Sequence, residues 1–535
     1  MKKISRESVA AIIIGIGVIT ANSYHVLAEL ITNPKDRVFT GIAHYFADYF
    51  LYVSHITQGA HGAWFMTKHL FTNESMSPTW IYWIYTILGK TNAIGIHPFA
   101  AYNGSIILLG TALLILWWNI IRDLFPKRPL TQLIAFLFIT TASNFPGLGD
   151  FWFSPTPALN RLGGVPHQFV QTILLLLTIR AFLSAAHTAK RPSVLSGITR
   201  YLLLCAVSFL AATASPIQML LVTASMGIFL VISLWGGNRS YIASFAAVAL
   251  PAFFGAYLTN AEFARQPILA AAKLWENSQP VSVPVWQFIL ALGPISVLLP
   301  FGIRQYLTNI TPLRSVLGIF AALSLAAFFS GVPLLLGTTP VRWLSPASIA
   351  VLPLIAALGF MEVSRLTDRM IPLPRVYIRA LLLLIYIAFT VPSLYTQVQA
   401  RVTPLRSDPT MQTLNHVPAP VMEALTAIKS TPGNGVVVTD PSIPYDVLVP
   451  VISGKRSFTG HPIHTLYPQV KEELRHKFFS GLMTDPEARQ FIKDHTILYI
   501  LASPQAVRIL ERYPFLSLSF QNDTVSVYIA TGITP

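Results

Sequence analysis

The sequence predicts a mainly helical protein that crosses a membrane about 11 times and ends in a small α/β domain. Of its 535 residues, 53% are hydrophobic and only 11% are charged, whereas a soluble domain usually carries about a quarter charged residues. The apolar residues are grouped into segments of about 20, the length that spans a bilayer. After residue 401 the pattern changes to short strands that alternate with amphipathic helices, which is typical of an α/β domain.

The apolar segments predict the spans and their orientation. Candidate spans are roughly 8–31, 100–121, 130–146, 167–186, 199–214, 217–236, 241–258, 284–302, 315–336, 346–362 and 379–397. With the N-terminus in the cytoplasm, Lys and Arg favour the inner loops by about two to one, the bias expected of cytoplasmic loops. The sequence therefore predicts a multi-pass protein of the cell (inner) membrane with an extracytoplasmic tail.

The N-terminal stretch and the single cysteine limit two further interpretations. "MKKISRESVAAIIIGIGVITANSYHVLAEL" begins like a signal peptide, but its apolar run is too long and lacks a clean cleavage site, so we expect a retained span. Cys205 is the only cysteine, which excludes an intramolecular disulfide. The net charge of +15 lies mostly in short loops between spans, so it indicates orientation rather than nucleic-acid binding.

Any chemistry is expected on the outer side, because the inner loops are short and basic. The outer segments long enough to form a site are 32–99, 146–166, 259–283 and 337–345. Within the first of them, "PTWIYWIYTILG" at 78–89 is too short to span and rich in interfacial aromatics, so it predicts a helix on the membrane surface. The alternative is an extra span, which would invert the topology after it.

The chain is thus predicted to consist of a membrane domain, 1–400, whose first outer loop is 32–99, and an extracytoplasmic domain, 401–535. In the second domain, "VMEALTAIKS" and "YPQVKEELRHKFFSG" are typical of helices. "GVVVTD", "TILYILAS", "FLSLSF" and "TVSVYIA" are typical of strands.

Carboxylates on the outer side are candidates for acid–base chemistry. Asp48 lies among aromatics, where a carboxylate loses hydration and gains basicity, so it could take a proton from an acceptor hydroxyl. Asp150, in "NFPGLGDFWFSP", could orient an acceptor or ligate a metal, although an ordinary loop acid is the simpler interpretation. His44 and His55 near Asp48 leave a metal site open, but no metal motif such as HExxH is present.

Two arginines at the outer ends of spans are candidates for phosphate binding. Arg161, in "ALNRLGGVPHQ", and Arg342, in "GTTPVRWLSP", would each need an anionic partner at the membrane interface. A phosphate held bidentately by the guanidinium is such a partner. The alternative is an arginine that extends to lipid headgroups or to a carboxylate.

The stretch "DYFLYVSHITQGAHGAWFMTKHLFTNE" (48–74) resembles the first outer loop of bacterial membrane glycosyltransferases of the GT-C class. The matching positions are Asp48, Tyr52, Ile56, Gln58, Gly59, Gly62, Trp64, Phe71, Thr72 and Glu74. "GKRSFTGHPIHTLYPQVKEELRHKFFSG" (454–481) is similar to a segment near the end of such chains. Arg342 with Pro346 occupies their late Arg…Pro position. The pattern departs from relatives such as the protein O-mannosyltransferases, which have Asp-Glu where this chain has Asp48 followed by Tyr49.

The resemblance implies a transferase that moves a sugar from a polyprenyl-phosphate donor to an acceptor hydroxyl at the outer membrane face. It implies Asp48 as the catalytic carboxylate. Such a reaction needs a base for the acceptor hydroxyl and a cation for the departing phosphate, and we expect Asp48 in the first role and Arg342, with Arg161, in the second. We expect Asp48 and Arg342 to converge at the outer edge of the helical bundle. Further sugar or acceptor contacts are expected from Tyr49, Tyr52, Trp64, Asp150, His461 and Lys471.

Several alternatives stay open at this stage. The acceptor could be a lipid, a glycan or a protein, and a divalent metal is possible but not favoured, because a clear second acidic motif is lacking. A transporter or flippase for a lipid-linked or small polar substrate would show charged residues at mid-span or paired broken helices. A non-catalytic membrane scaffold would show no dependence of sugar transfer on Asp48. Membrane lipids are expected around the spans.

Overall fold

The computed structural model describes residues 5–145, 154–187, 194–279, 281, 283–308, 310–371 and 373–532. The chain divides into two compact units, which we name by their content. The membrane unit comprises Met1–Tyr24, Ile106–Ala261 and Asn277–Ala400, and the loop–tail unit comprises His25–Ser105, Glu262–Glu276 and Arg401–Pro535.

Helices dominate the first 400 residues. In chain order they are α1 (Arg6–Ile31), α2 (Phe46–Ala60), α3 (Trp83–Gly89), α4 (Pro98–Leu124), α5 (Pro129–Thr141), α6 (Ala158–Leu162), α7 (Pro166–His187), α8 (Val194–Ala214), α9 (Pro216–Trp235), α10 (Ile242–Arg265), α11 (Pro267–Asn277), α12 (Val285–Ala291), α13 (Ile295–Thr308), α14 (Pro312–Phe329), α15 (Val332–Leu335), α16 (Pro346–Ile349), α17 (Val351–Met370) and α18 (Arg375–Ser407).

The tail adds shorter elements. Its helices are α19 (Pro409–Asn415), α20 (Ala419–Ser430), α21 (Pro468–Phe479), α22 (Asp485–Asp494) and α23 (Val507–Leu510). The strands of the whole chain are β1 (Arg37–Phe39), β2 (His416–Pro418), β3 (Val436–Thr439), β4 (Arg456–Ser457), β5 (Ile497–Ala502), β6 (Leu516–Gln521) and β7 (Ser526–Ala530).

Nine of the predicted spans are confirmed as helices that could cross a membrane by length and composition, counted over the described residues. The protein is therefore a multi-pass membrane protein. The described residues hold nine such helices, or ten if the bent pair α12 and α13 is one span, beside the predicted count of about 11. Two predicted segments account for the difference. In segment 130–146 the described residues form the 13-residue helix α5, which is shorter than the roughly 20 residues a span needs.

The second difference is segment 284–302, which forms α12 and α13, two helices bent by 97°. The break follows from "GP" at 293–294: Gly293 adopts a positive φ of 62°, and a proline cannot continue the hydrogen bonding of a preceding helix. A side chain at Gly293 would also collide with the main chain, because its Cβ would lie 1.9 Å from the carbonyl oxygen of Ser143.

Two glycines allow α13 and α17 to pack backbone to backbone in the membrane unit. A Cβ on Gly302 would lie 1.9 Å from the carbonyl oxygen of Ile355, and a Cβ on Gly359 would lie 2.0 Å from that of Leu298. Small residues at such crossings are the usual means of close helix packing in membranes, where water drives no association of apolar faces.

The loop–tail unit contains two sheets. Strands β1 and β2 pair antiparallel and join the first loop to the start of the tail. The larger sheet has the order β4-β3-β5-β7-β6, with parallel pairs around β3 and antiparallel pairs around β7. The six tail elements predicted from the sequence are confirmed as α20, α21, β3, β5, β6 and β7.

Segment 78–89 contains α3, whose seven residues are too few to cross a membrane, so the alternative of an extra span is wrong. This helix packs closely on α2, since a Cβ on Gly59 would lie 2.3 Å from the carbonyl oxygen of Thr86. Its predicted position along the membrane surface stays a prediction.

Candidate active site

Helix α2 positions Asp48 in its first turn. Two effects favour the ionised carboxylate there: the unpaired N–H groups at a helix N-terminus attract a negative charge, and a hydrogen bond from His461 reaches Oδ1. The side chain of Asp48 is 31% exposed. It is therefore held by the protein and still accessible from one side.

The hydrogen bonds of His461 identify its tautomer. Its Nδ1 accepts the main-chain N–H groups of Ile463 and His464, each at 3.1 Å. A nitrogen that accepts two hydrogen bonds carries no proton, so the proton is on Nε2, which donates to Asp48 Oδ1 at 2.9 Å. The imidazole is thus a neutral donor whose orientation is set by the main chain of its own turn.

A ladder of hydrogen bonds joins the first loop to this part of the tail. The main-chain N–H of Ser457 donates to the carbonyl of Leu70 at 2.8 Å, and the hydroxyl of Thr465 donates to the carbonyl of Phe71 at 2.7 Å. The bonded residues belong to the two sequence stretches that carried the resemblance. Because Thr465 also accepts the main-chain N–H of His461, the ladder holds the imidazole in place.

An ion pair closes the same contact. Lys471 on α21 donates to Glu74 Oε2 at 2.8 Å and to Thr72 Oγ1 at 2.9 Å, and Thr72 also bonds to Glu74. Burial raises the pKa of Glu74, but hydrogen bonds from Lys471 and Thr72 outweigh it and leave the pKa below its ordinary value. The Lys471 side chain is almost fully buried and that of Glu74 is one-third exposed, so loss of Glu74 would leave a buried ammonium without its anion.

The structure distinguishes among the side chains predicted to contact sugar or acceptor. His461 and Lys471 have almost no exposed side-chain surface, and Tyr49 is fully buried. Tyr52 stacks on Tyr85 with ring centroids 4.5 Å apart, whereas Trp64 is largely exposed. These positions favour a positioning or packing role for the three buried residues and leave Trp64 accessible.

The two arginines predicted at the phosphate differ in their surroundings. Arg161 is buried, and its guanidinium donates to the main-chain carbonyls of Ile139, Ala142, Pro155 and Thr156. These bonds engage all five of its N–H groups, so the geometry favours a structural role in joining α5 to α6.

Arg342 is exposed and lies on a tight 3₁₀ turn, Pro340–Trp343. The indole Nε1 of Trp343 donates to Thr338 Oγ1 at 2.8 Å, which anchors the turn. Arg342 belongs to the membrane unit and Asp48 to the loop–tail unit, and their convergence stays a prediction. Asp150 lies outside the described residues.

His44 and His55, which the sequence left open as metal ligands, each contact a tyrosine. His44 Nε2 shares a hydrogen bond with the Tyr102 hydroxyl, and His55 stacks on Tyr82 with centroids 3.8 Å apart. Within the described part of the chain no group of three or more His, Cys, Asp or Glu could hold a metal ion.

Sequence reasoning missed a row of buried histidines beside Asp48. The ring of His464 lies 4.6 Å from that of His461 and 5.3 Å from that of His69. Burial lowers the pKa of His69 to about 4 and that of His464 well below its ordinary value. The only signal in the sequence was "GHPIH" at 460–464, which does not show that a third histidine, His69, packs beside it.

The chain resembles known proteins in its fold rather than in its sequence. No family model matches the sequence, and no curated protein matches it. The apo crystal structure of the Archaeoglobus fulgidus oligosaccharyltransferase matches over 97% of this chain and 74% of its own, with 12% identity and a TM-score of 0.55. The fold is of the GT-C type.

Further structures with the GT-C fold match as well. AglB from A. fulgidus, in complex with an inhibitory peptide and a dolichol-phosphate, matches over 98% of this chain and 74% of its own, with 11% identity and a TM-score of 0.52. ArnT from Cupriavidus metallidurans bound to undecaprenyl phosphate matches over 98% of each chain, with 12% identity and a TM-score of 0.49. The predicted resemblance is thus confirmed as a likeness of fold.

The buried histidines predict a loss of stability in acid. Because the pKa of His69 is lower in the folded protein than in the unfolded chain, stability is full above about pH 6.5 and is lost as the pH falls towards 4. For His69 alone we expect about 2 kcal/mol less stability at pH 5 than at pH 7. Thermal unfolding at pH 7, 6 and 5 measures this slope, which His69→Gln should flatten. The exposed His476 supplies the control, His476→Gln; equal slopes for His69→Gln and the wild type would contradict the assignment.

Proposed function

We propose that this protein is a membrane glycosyltransferase that moves a sugar from a polyprenyl-phosphate donor to an acceptor hydroxyl at the outer face of the membrane. The observation that carries the proposal is the contact between Asp48 and the neutral His461 in a chain with the GT-C fold. The dolichol-phosphate bound to AglB, one of the proteins that share the fold, supports a lipid phosphate as the donor's carrier.

The reaction needs a base for the acceptor. In the proposed step the acceptor oxygen attacks the anomeric carbon of the sugar, and its proton passes to the carboxylate of Asp48. The bond between the anomeric carbon and the phosphate oxygen breaks, and its electron pair leaves with the polyprenyl phosphate. Because a phosphate is already a good leaving group, a strong general acid is not required.

Departure of the phosphate needs a positive charge. Arg342 suits this role, because it is exposed on an anchored turn and a guanidinium can hold two phosphate oxygens at once. Arg161 is not part of the proposed phosphate site, since main-chain carbonyls already engage its donors.

His461 acts in this proposal as a positioning residue. Protonation of its Nδ1 would break two hydrogen bonds from the main chain, so the imidazole is a poor destination for the acceptor's proton. The proton therefore stays on Asp48, and His461 fixes the direction in which the carboxylate faces.

The compartment follows from the charge bias of the loops. We propose that the N-terminus is cytoplasmic and that the loop–tail unit lies outside the inner membrane, where the acceptor is a hydroxyl of a lipid, glycan or protein. No step is assigned to a metal ion, because the described side chains do not assemble a ligand set.

Asp48→Asn should abolish transfer of a labelled sugar from a polyprenyl-phosphate donor, with at least a 10²-fold lower rate, because an amide cannot accept the proton. The substitution is isosteric, and an unchanged unfolding temperature would show that the fold is kept. Asp36→Asn, at an exposed acid of the same loop, should leave the rate unchanged. Equal transfer by wild type and Asp48→Asn would remove the proposed base; accumulation of donor across the membrane without transfer would favour a flippase.

His461→Phe should lower kcat by about 10- to 100-fold with little change in the KM for donor, because a misdirected base affects the chemical step more than binding. His461→Gln keeps an N–H donor near the position of Nε2 and should restore part of kcat. Steady-state kinetics of both variants measure this difference. Equal losses in the two variants would indicate that His461 serves folding alone.

Arg342→Gln should raise the KM for donor and lower kcat, since both the bound donor and the departing phosphate lose a bidentate partner. Arg342→Lys keeps the positive charge but not the bidentate guanidinium, so its KM and kcat should lie between those of Arg342→Gln and the wild type. Donor titrations at fixed acceptor measure both constants. If Arg342→Gln transferred the sugar at the wild-type rate, Arg342 would not be the ligand of the donor phosphate.

A further inference from the structure

The membrane unit contains a basic cavity that the proposed reaction does not use. Its volume is about 630 Å³, which lies within the range of about 300–1,000 Å³ typical of ligand pockets. The cavity lies between the start of α5, the end of α13, the later part of α17 and the start of α18. Its lining includes the polar and charged residues Arg128, Gln305, Glu362, Arg365, Arg375 and Arg379.

The charges of this cavity do not balance. Arg365 pairs with Glu362 at 3.2 Å, and Arg375 pairs with Asp368 at 2.7 Å. Arg379 donates to the hydroxyl of Ser364, and neither Arg379 nor Arg128 has a carboxylate partner among the described residues. Two positive charges of the lining are therefore left without a matching anion.

Exposed apolar side chains flank Arg375, a residue of the cavity lining, along the chain. On the turn between α17 and α18 and at the start of α18, large hydrophobic side chains are exposed: Met370, Ile371, Leu373, Val376 and Tyr377. Such a combination of guanidinium groups and neighbouring apolar side chains suits a ligand with an anionic head and an acyl chain. Basic pockets between the ends of membrane helices bind anionic lipid headgroups in this way.

The membrane orientation predicted from the distribution of Lys and Arg indicates which leaflet the cavity faces. The α4–α5 connection and the α17–α18 turn belong to the loops predicted to be cytoplasmic. We propose that this cavity binds the phosphate of an anionic phospholipid of the inner leaflet, with Arg128 and Arg379 as its principal ligands. The arginine forks would hold phosphate oxygens bidentately, as guanidinium groups commonly do. This proposal is independent of the proposed sugar transfer.

The test measures lipid binding by the full-length protein. Purified protein in a neutral detergent is titrated with phosphatidylglycerol, with phosphatidylcholine and with inorganic phosphate, and native mass spectrometry counts the bound lipids. We expect one phosphatidylglycerol to bind at least tenfold more tightly than phosphatidylcholine. The double variant Arg128→Gln/Arg379→Gln should lose that preference.

The matched control is Arg200→Gln/Arg239→Gln, which removes two exposed arginines, one in α8 and one between α9 and α10, from other regions that the sequence predicts to face the cytoplasm. This control should keep the lipid preference, and both double variants should keep the unfolding temperature of lipid-free wild type. Equal binding of the two lipids, or equal losses in the two double variants, would overturn the proposal. Inorganic phosphate that displaces phosphatidylglycerol at equal concentration would also overturn it, since the site would then recognise a free anion.

Discussion

The hydrogen bond from His461 to Asp48 is the interaction on which the candidate site depends. A carboxylate in the first turn of a helix could adopt several rotamers, and only a partner outside that helix selects one of them. That partner is itself held by two main-chain N–H groups, by Thr465 and by the ladder to residues 70–71. The direction of the carboxylate is therefore set by main-chain geometry, which is stiffer than a network of side chains alone.

The ion pair between Lys471 and Glu74 completes this arrangement at modest net gain. Taking a lysine out of water is costly, and the Coulombic attraction to one carboxylate only offsets that cost. What the pair contributes is specificity: any other register of the tail against the loop would leave the ammonium buried without an anion. Such a penalty favours the one register in which His461 meets Asp48.

The sequence predicted the local features of this protein better than the distant ones. Nine spans and six tail elements follow from periodicity and length, which are properties of neighbouring residues. The sequence contains "GP" at 293–294 inside an apolar run, yet hydropathy alone predicted one continuous span across it. The burial of His461 and Lys471 could not be read from the sequence, because it depends on contacts with residues some 400 positions away; their roles stay predictions. Arg161 shows the same limit, since nothing in its neighbouring letters reveals that its donors bind carbonyls at the end of α5.

The separation of Asp48 and His461 by 413 positions has a consequence for biosynthesis. At the usual ribosomal speed of about 5–20 residues per second, the first loop waits roughly 20–80 s for its partner segment to be translated. During that interval Asp48 has no hydrogen bond from His461, so its carboxylate is not held in one direction in the nascent chain. In the proposed reaction Asp48 would be oriented only once residues 456–471 have been translated, which couples the proposed activity to synthesis of this part of the tail.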